Sequence, residues 1–158
     1  MAQGKQMMML WALVYLVGLL ATHYLLLQGS LTESMALWIW FVIVLVSNYS
    51  IGKSMGKMPA AVNTVWMGAT VLFIVLAGTM LLGVWAGGAA VFFALYLILF
   101  GGAMFGTGHE MKKGTWSGMG LTDMFIGFVF PTWFSGAPFL VAALYIGVGM
   151  LYYTWKGM

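Results

Sequence analysis

Asp123 is the one charged side chain between Ser117 and Trp155. A carboxylate held at mid-depth in a hydrocarbon layer costs roughly 2.5–3.5 kcal/mol or more, so its retention points to solute binding or proton transfer along a membrane path. The same residue has a structural reading. Thr122 and Asp123 can open a helix, with the carboxylate accepting the free amides of the first turn.

His109 and Glu110 fall in the longest polar stretch, 108–114, beside Lys112 and Lys113. An imidazole and a carboxylate there can exchange protons or meet a polar solute. Grouped with Asp123 and with Asn48, they form a polar vestibule at one mouth of a path; the competing reading is a solvated loop. His23 and Glu33 stand near the other mouth. A carboxylate beside a histidine favours its protonated form, which makes a pH-sensing pair, although an interfacial histidine is the default.

Stronger chemistry finds no support. Cysteine is absent, which excludes disulfides, thiolate metal sites and thiol catalysis. His109, Glu110 and Asp123 carry metal-ligating atoms, but their spacing matches no metal motif and no metal is predicted. The fifteen methionines include Met7, Met8, Met9, Met55, Met58, Met111 and Met119. They form no dense Met-x-Met array for Cu(I) and read as apolar filler. His23 and His109 fall on opposite sides of the membrane and cannot share one haem iron. Phosphate-binding glycine loops, HExxH and paired catalytic carboxylates are missing. No catalytic residue and no cofactor is predicted, and an enzyme is the least supported class.

The elements that position these residues follow from solvent. Of 158 residues, 63% are hydrophobic and 6% charged. Soluble domains carry about 25% charged residues, so this chain has too few to cover a water-facing surface and must face lipid. Six apolar stretches serve as spans: 7–28, 35–52, 65–86, 89–107, 118–134 and 137–155. Threaded in that way, all six basic residues, Lys5, Lys53, Lys57, Lys112, Lys113 and Lys156, lie on one side. Cationic segments resist translocation, which makes that side cytoplasmic and places both termini on the cytoplasmic side of the cell membrane.

The expected fold is all-α: a polytopic transmembrane helical bundle of six short spans, forming a single integral-membrane domain over 1–158. Pro131 and the Ser135-Gly136-Ala137-Pro138 break leave an alternative of five spans plus a broken or re-entrant helix. The first stretch lacks a cleavage site and reads as a retained span. Ser30 and Glu33 have capping-box spacing, and Gly87-Gly88 reads as a very short turn. Most tryptophans and tyrosines, Trp40 and Trp66 included, fall near span ends, while Tyr96 is at mid-span.

Small residues four apart, Thr79/Gly83/Gly87, Gly102/Gly106 and Ala143/Gly147, predict close packing within the chain, with a homo-oligomer seam as the alternative. A pattern from Thr64 to Leu76 recurs from Thr132 to Leu144. If real, it makes the first three and last three spans inverted repeats.

The lipid bilayer is the principal partner, and the net charge of +3 comes from inner-loop lysines suited to acidic headgroups. Nucleic acid is not expected; a homo-oligomer or a larger membrane complex is compatible with the tiny loops. The functional expectation is a channel or carrier for a small uncharged or weakly charged solute. The alternative is a non-catalytic accessory subunit of a larger membrane complex.

Overall fold

The computed structural model describes residues 2–54 and 58–156, with side chains over 6–54 and 58–155. Met55, Lys57 and the side chains of Lys5 and Lys156 lie outside the described residues. Six helices follow one another: α1 (Ala2–Leu27), α2 (Glu33–Ser54), α3 (Ala60–Leu81), α4 (Ala89–Glu110), α5 (Gly114–Trp133) and α6 (138–156). No strand occurs among the described residues.

α1 to α4 and α6 are long and apolar enough to cross a membrane. Helices of 22 residues cover about 33 Å, against a hydrocarbon core of roughly 30 Å. α5 has 20 residues but carries Ser117, Thr122, Asp123 and repeated glycine, and lacks a comparably long apolar run. The surface agrees with a lipid solvent. Val17, Val42, Val71, Phe125 and Phe128 are exposed, where a soluble fold would bury them. The chain is a multi-pass, all-α membrane protein in contact with the bilayer.

Three helices end in one way. The amides of Gly29 and Ser30 donate back to Leu26 and Leu25, those of Gly83 and Val84 to Met80 and Thr79, and those of Lys112 and Lys113 to His109 and Gly108. Each is a Schellman turn with its pivot in the left-handed region: Gly29 at φ 68°, Gly83 at φ 76° and Lys112 at φ 53°. Glycine adopts that conformation freely, whereas a lysine pays about 1–2 kcal/mol.

These ends correct several expected boundaries. α3 stops at Leu81 rather than Ala86, because Gly83 turns the chain, so the connection to α4 spans 82–88 rather than two glycines. Gly83 and Gly87 therefore belong to that turn and not to a helical stripe; Gly87 lies under the Met80 side chain. Thr32, not Ser30, caps α2, since its Oγ1 accepts the Met35 amide at 3.3 Å. α5 starts at Gly114 after Lys113, which leaves Asp123 in mid-helix instead of at a cap.

The helices form two compact units, one of α1, α2 and α6 and the other of α3, α4 and α5. The halves implied by an inverted repeat, α1–α3 and α4–α6, are not the groups that pack. The copies also differ locally: Thr64 to Leu76 lies within α3, while Thr132 to Leu144 crosses from α5 through a turn into α6.

In the first unit α1 is central. Ala12, Tyr15, Leu19 and Thr22 are buried along α1, and Leu37, Trp40, Val44 and Ser47 along α2; Tyr15 and Thr22 face Trp40 and Ser47 between the two helices. Two polar rungs cross this contact, Tyr15 Oη to Ser47 Oγ at 2.9 Å and Trp40 Nε1 to Thr22 Oγ1 at 3.0 Å. Gly18 makes room for the Trp40 ring; a Cβ there would lie 3.1 Å from it. On the other side α6 meets α1 through Gly147, with Ala143 buried one turn earlier. A Cβ on Gly147 would sit 2.7 Å from Leu16 Cα. Around this contact, Ala143–Val148 form a π-helical stretch.

In the second unit α4 is central. Toward α3, Phe73 packs on Phe92 and Phe100 at 5.4 and 5.6 Å between centroids, and Tyr96 joins at 5.0 Å from Phe100. Trp66 Nε1 donates to Thr107 Oγ1 at 2.8 Å. Trp40 and Trp66 thus serve as interhelical donors rather than headgroup anchors. Lipid is as apolar as leucine, so such contacts, with close backbone packing, hold helices together where a hydrophobic driving force is weak.

Candidate functional site

The closest helix–helix contact runs between α4 and α5, which are antiparallel and joined by 111–113. It depends on Gly101 and Gly108 on α4 and Gly120 and Gly127 on α5. A Cβ on Gly101 would lie 2.9 Å from the Gly120 carbonyl oxygen and 2.8 Å from Asp123 Cβ. On Gly127 it would lie 2.7 Å from Ile98 Cγ1, on Gly108 it would strike the Ser117 backbone, and on Gly120 the Phe105 backbone. Each pair is seven residues apart, close to two helical turns, so both members share one face. The expected Gly102/Gly106 stripe is the looser neighbour: Gly106 looks toward Val65 of α3, where a Cβ would make an ordinary contact, 3.5 Å from Val65 Cγ1.

Asp123 sits inside this contact zone. It is the tenth of the 20 residues of α5, about 14 Å from either end, half-buried on the flank facing α4. Of the three acidic residues, Glu33 opens α2 and Glu110 closes α4. Asp123 alone occupies a helix interior. A carboxylate there can accept hydrogen bonds from a polar solute, hold a cation, or exchange a proton.

The remaining candidates disperse. His109 and Glu110 are exposed on the last turn of α4, while Asp123 faces Gly101, eight residues earlier and about 12 Å along the helix. The expected grouping of these three is therefore not formed. No three His, Asp or Glu side chains gather tightly enough to hold a metal ion among the described residues. Asn48 belongs to the first unit, where its amide Nδ2 donates to the Val44 carbonyl at 2.9 Å. His23 and Glu33 lie at the same end of the α1–α2 hairpin, His23 half-buried and Glu33 exposed.

Two features escaped the sequence reading. Trp11 Nε1 is shielded and has no hydrogen-bond partner among the described residues, although its position suggested an ordinary interfacial anchor. The Lys113 ammonium lies 5.5 Å from the centroid of the Trp116 ring; the i, i+3 spacing of these residues across a helix start was the available signal.

No family model, no curated protein and no solved structure matches this chain.

Proposed function

We propose that the protein is a small carrier or channel of the cell membrane, with both termini cytoplasmic, passing a small uncharged or weakly charged solute. The observation that carries this reading is Asp123, a carboxylate halfway along α5. An ionisable group at that depth is costly and earns retention through function more readily than through structure. His109 and Glu110, on the last turn of α4 in the same unit as Asp123, supply further polar side chains at one end of that unit. The test is solute flux into sealed liposomes holding the purified protein. Flux above that of empty vesicles for at least one small polar solute is expected. Leakage equal to empty vesicles across a broad solute panel would remove the proposal.

A second reading, an accessory subunit of a larger membrane complex, rests on a different observation. The four buried polar residues Thr22, Ser47, Thr107 and Thr154 all donate to carbonyls of their own helices. Buried polar groups used for helix packing suit a structural role. Purification in mild detergent separates the readings: co-migration with stoichiometric larger partners supports the subunit, and a lone, flux-competent species supports transport.

A further inference from the structure

Where α1 and α3 turn back, the left-handed pivot is glycine; where α4 turns back, it is Lys112, at φ 53°. The backbone bonds of the three turns are equivalent, so nothing in the turn itself calls for a side chain. A residue kept in a disfavoured conformation that glycine would relieve points to work done by its side chain. The Lys112 side chain is exposed.

An independent observation lies one residue on. Lys113, also exposed, holds its ammonium 5.5 Å from the centroid of the buried Trp116 ring. The cation–π contact restrains a long flexible side chain at the first turn of α5, beside an indole of the type that favours the headgroup layer. Two adjacent ammonium groups, one pivoted outward and one pre-oriented, therefore stand where a membrane helix meets lipid headgroups. The other charged or titratable groups on this turn are His109 and Glu110, both exposed on the last turn of α4. With histidine neutral, the cluster carries one net positive charge, a match for a singly charged phosphodiester.

We propose that the Lys112–Lys113 turn binds the phosphate of an anionic phospholipid headgroup. Ammonium groups act as point-charge donors to such phosphates, and each lysine near an acidic membrane surface adds about 1 kcal/mol, or roughly fivefold in affinity. The site is independent of the transport reading and stands if that reading fails.

The experiment uses the full chain in neutral detergent with equal phosphatidylglycerol and phosphatidylcholine, and counts retained lipids by native mass spectrometry. The unmodified protein is expected to prefer phosphatidylglycerol. Lys112→Gly and Lys113→Gln are each expected to lower that preference by about fivefold, while Lys53→Gln, on the last turn of α2, leaves it unchanged. Lys112→Gly should also raise the unfolding midpoint by relieving the pivot, which separates lipid loss from misfolding. An equal fall with Lys53→Gln would reduce the effect to general surface charge and overturn the proposal. Displacement of phosphatidylglycerol by equimolar inorganic phosphate would assign the turn to free anions and overturn it too.

Discussion

The indole N–H of Trp40 donates to Thr22 Oγ1 at 3.0 Å, and the Thr22 hydroxyl donates in turn to the Gly18 carbonyl at 2.8 Å. The pattern recurs twice. Trp66 donates to Thr107, which donates to Ala103 O; Trp85 donates to Thr79, which donates to Val75 O. A threonine inside a membrane helix can satisfy its hydroxyl proton on the preceding turn, and its lone pair then remains to receive a neighbour. Each relay joins two segments without leaving its indole proton or hydroxyl proton unsatisfied.

The Trp40–Thr22 relay predicts a coupled pair. Thr22→Val and Trp40→Phe are each expected to destabilise the protein, and the double variant to lose less than their sum. The coupling should be about 0.6–1.7 kcal/mol, the range for hydrogen bonds between membrane helices. Unfolding in mixed micelles with rising fraction of denaturing detergent measures it through a double-mutant cycle. Strict additivity would show that the two side chains act separately.

Glycines on α5 differ sharply in what they do. A Cβ on Gly120 would meet the Gly101 and Phe105 backbones, while Gly118 has open space on its exposed side. Gly120→Ala is expected to cost about 1–3 kcal/mol as the helices are pushed apart. Gly118→Ala should stabilise by about 0.5–1 kcal/mol, since alanine loses less backbone entropy in a helix. The same unfolding assay reads both, and similar effects from the two would contradict the glycine-dependent α4–α5 contact.

The limits of sequence reading show at these glycines. Four-residue spacing found Gly147, which does face α1, but it selected Gly102 and Gly106 where Gly101 and Gly108 make the tight contact. A seven-residue repeat is invisible unless the partner helix is known, because only the partner's own repeat, Gly120 and Gly127, distinguishes a seam from chance. The helices themselves were legible because lipid demands long apolar runs and leaves lysines behind. Their grouping was not. α6 packs with α1 across the longest chain separation, through a π-helical stretch that no local signal announces. Asp123 was legible as a lone charge, but its depth depended on where α5 begins, and that is set by Lys112 and the turn after α4.

Asp123→Asn keeps the shape of the side chain and removes its charge. A bond to a charged group contributes about 1.5–3 kcal/mol, so if the carboxylate contacts the solute, flux should fall by roughly 10- to 100-fold. The unfolding midpoint should move little. Stopped-flow flux in liposomes, paired with the unfolding assay on the same preparations, separates the two effects. Unchanged flux with a large loss of stability would make Asp123 a packing residue and favour the subunit reading.

Orientation is tested by the lysines themselves. Lys53 closes α2 and Lys112 follows α4; with α3 and α4 both crossing, an even number of spans separates them, and they must share a side. Cationic loops remain where synthesis occurs, so both should face the cytoplasm. Variants retaining one lysine each, placed in inside-out membrane vesicles, should react with an impermeant amine reagent at Lys53 and at Lys112 alike. Right-side-out vesicles should protect both until they are permeabilised. Reaction of the two from opposite faces would mean that α3 or α4 fails to cross, and the mid-depth position proposed for Asp123 would be lost with it.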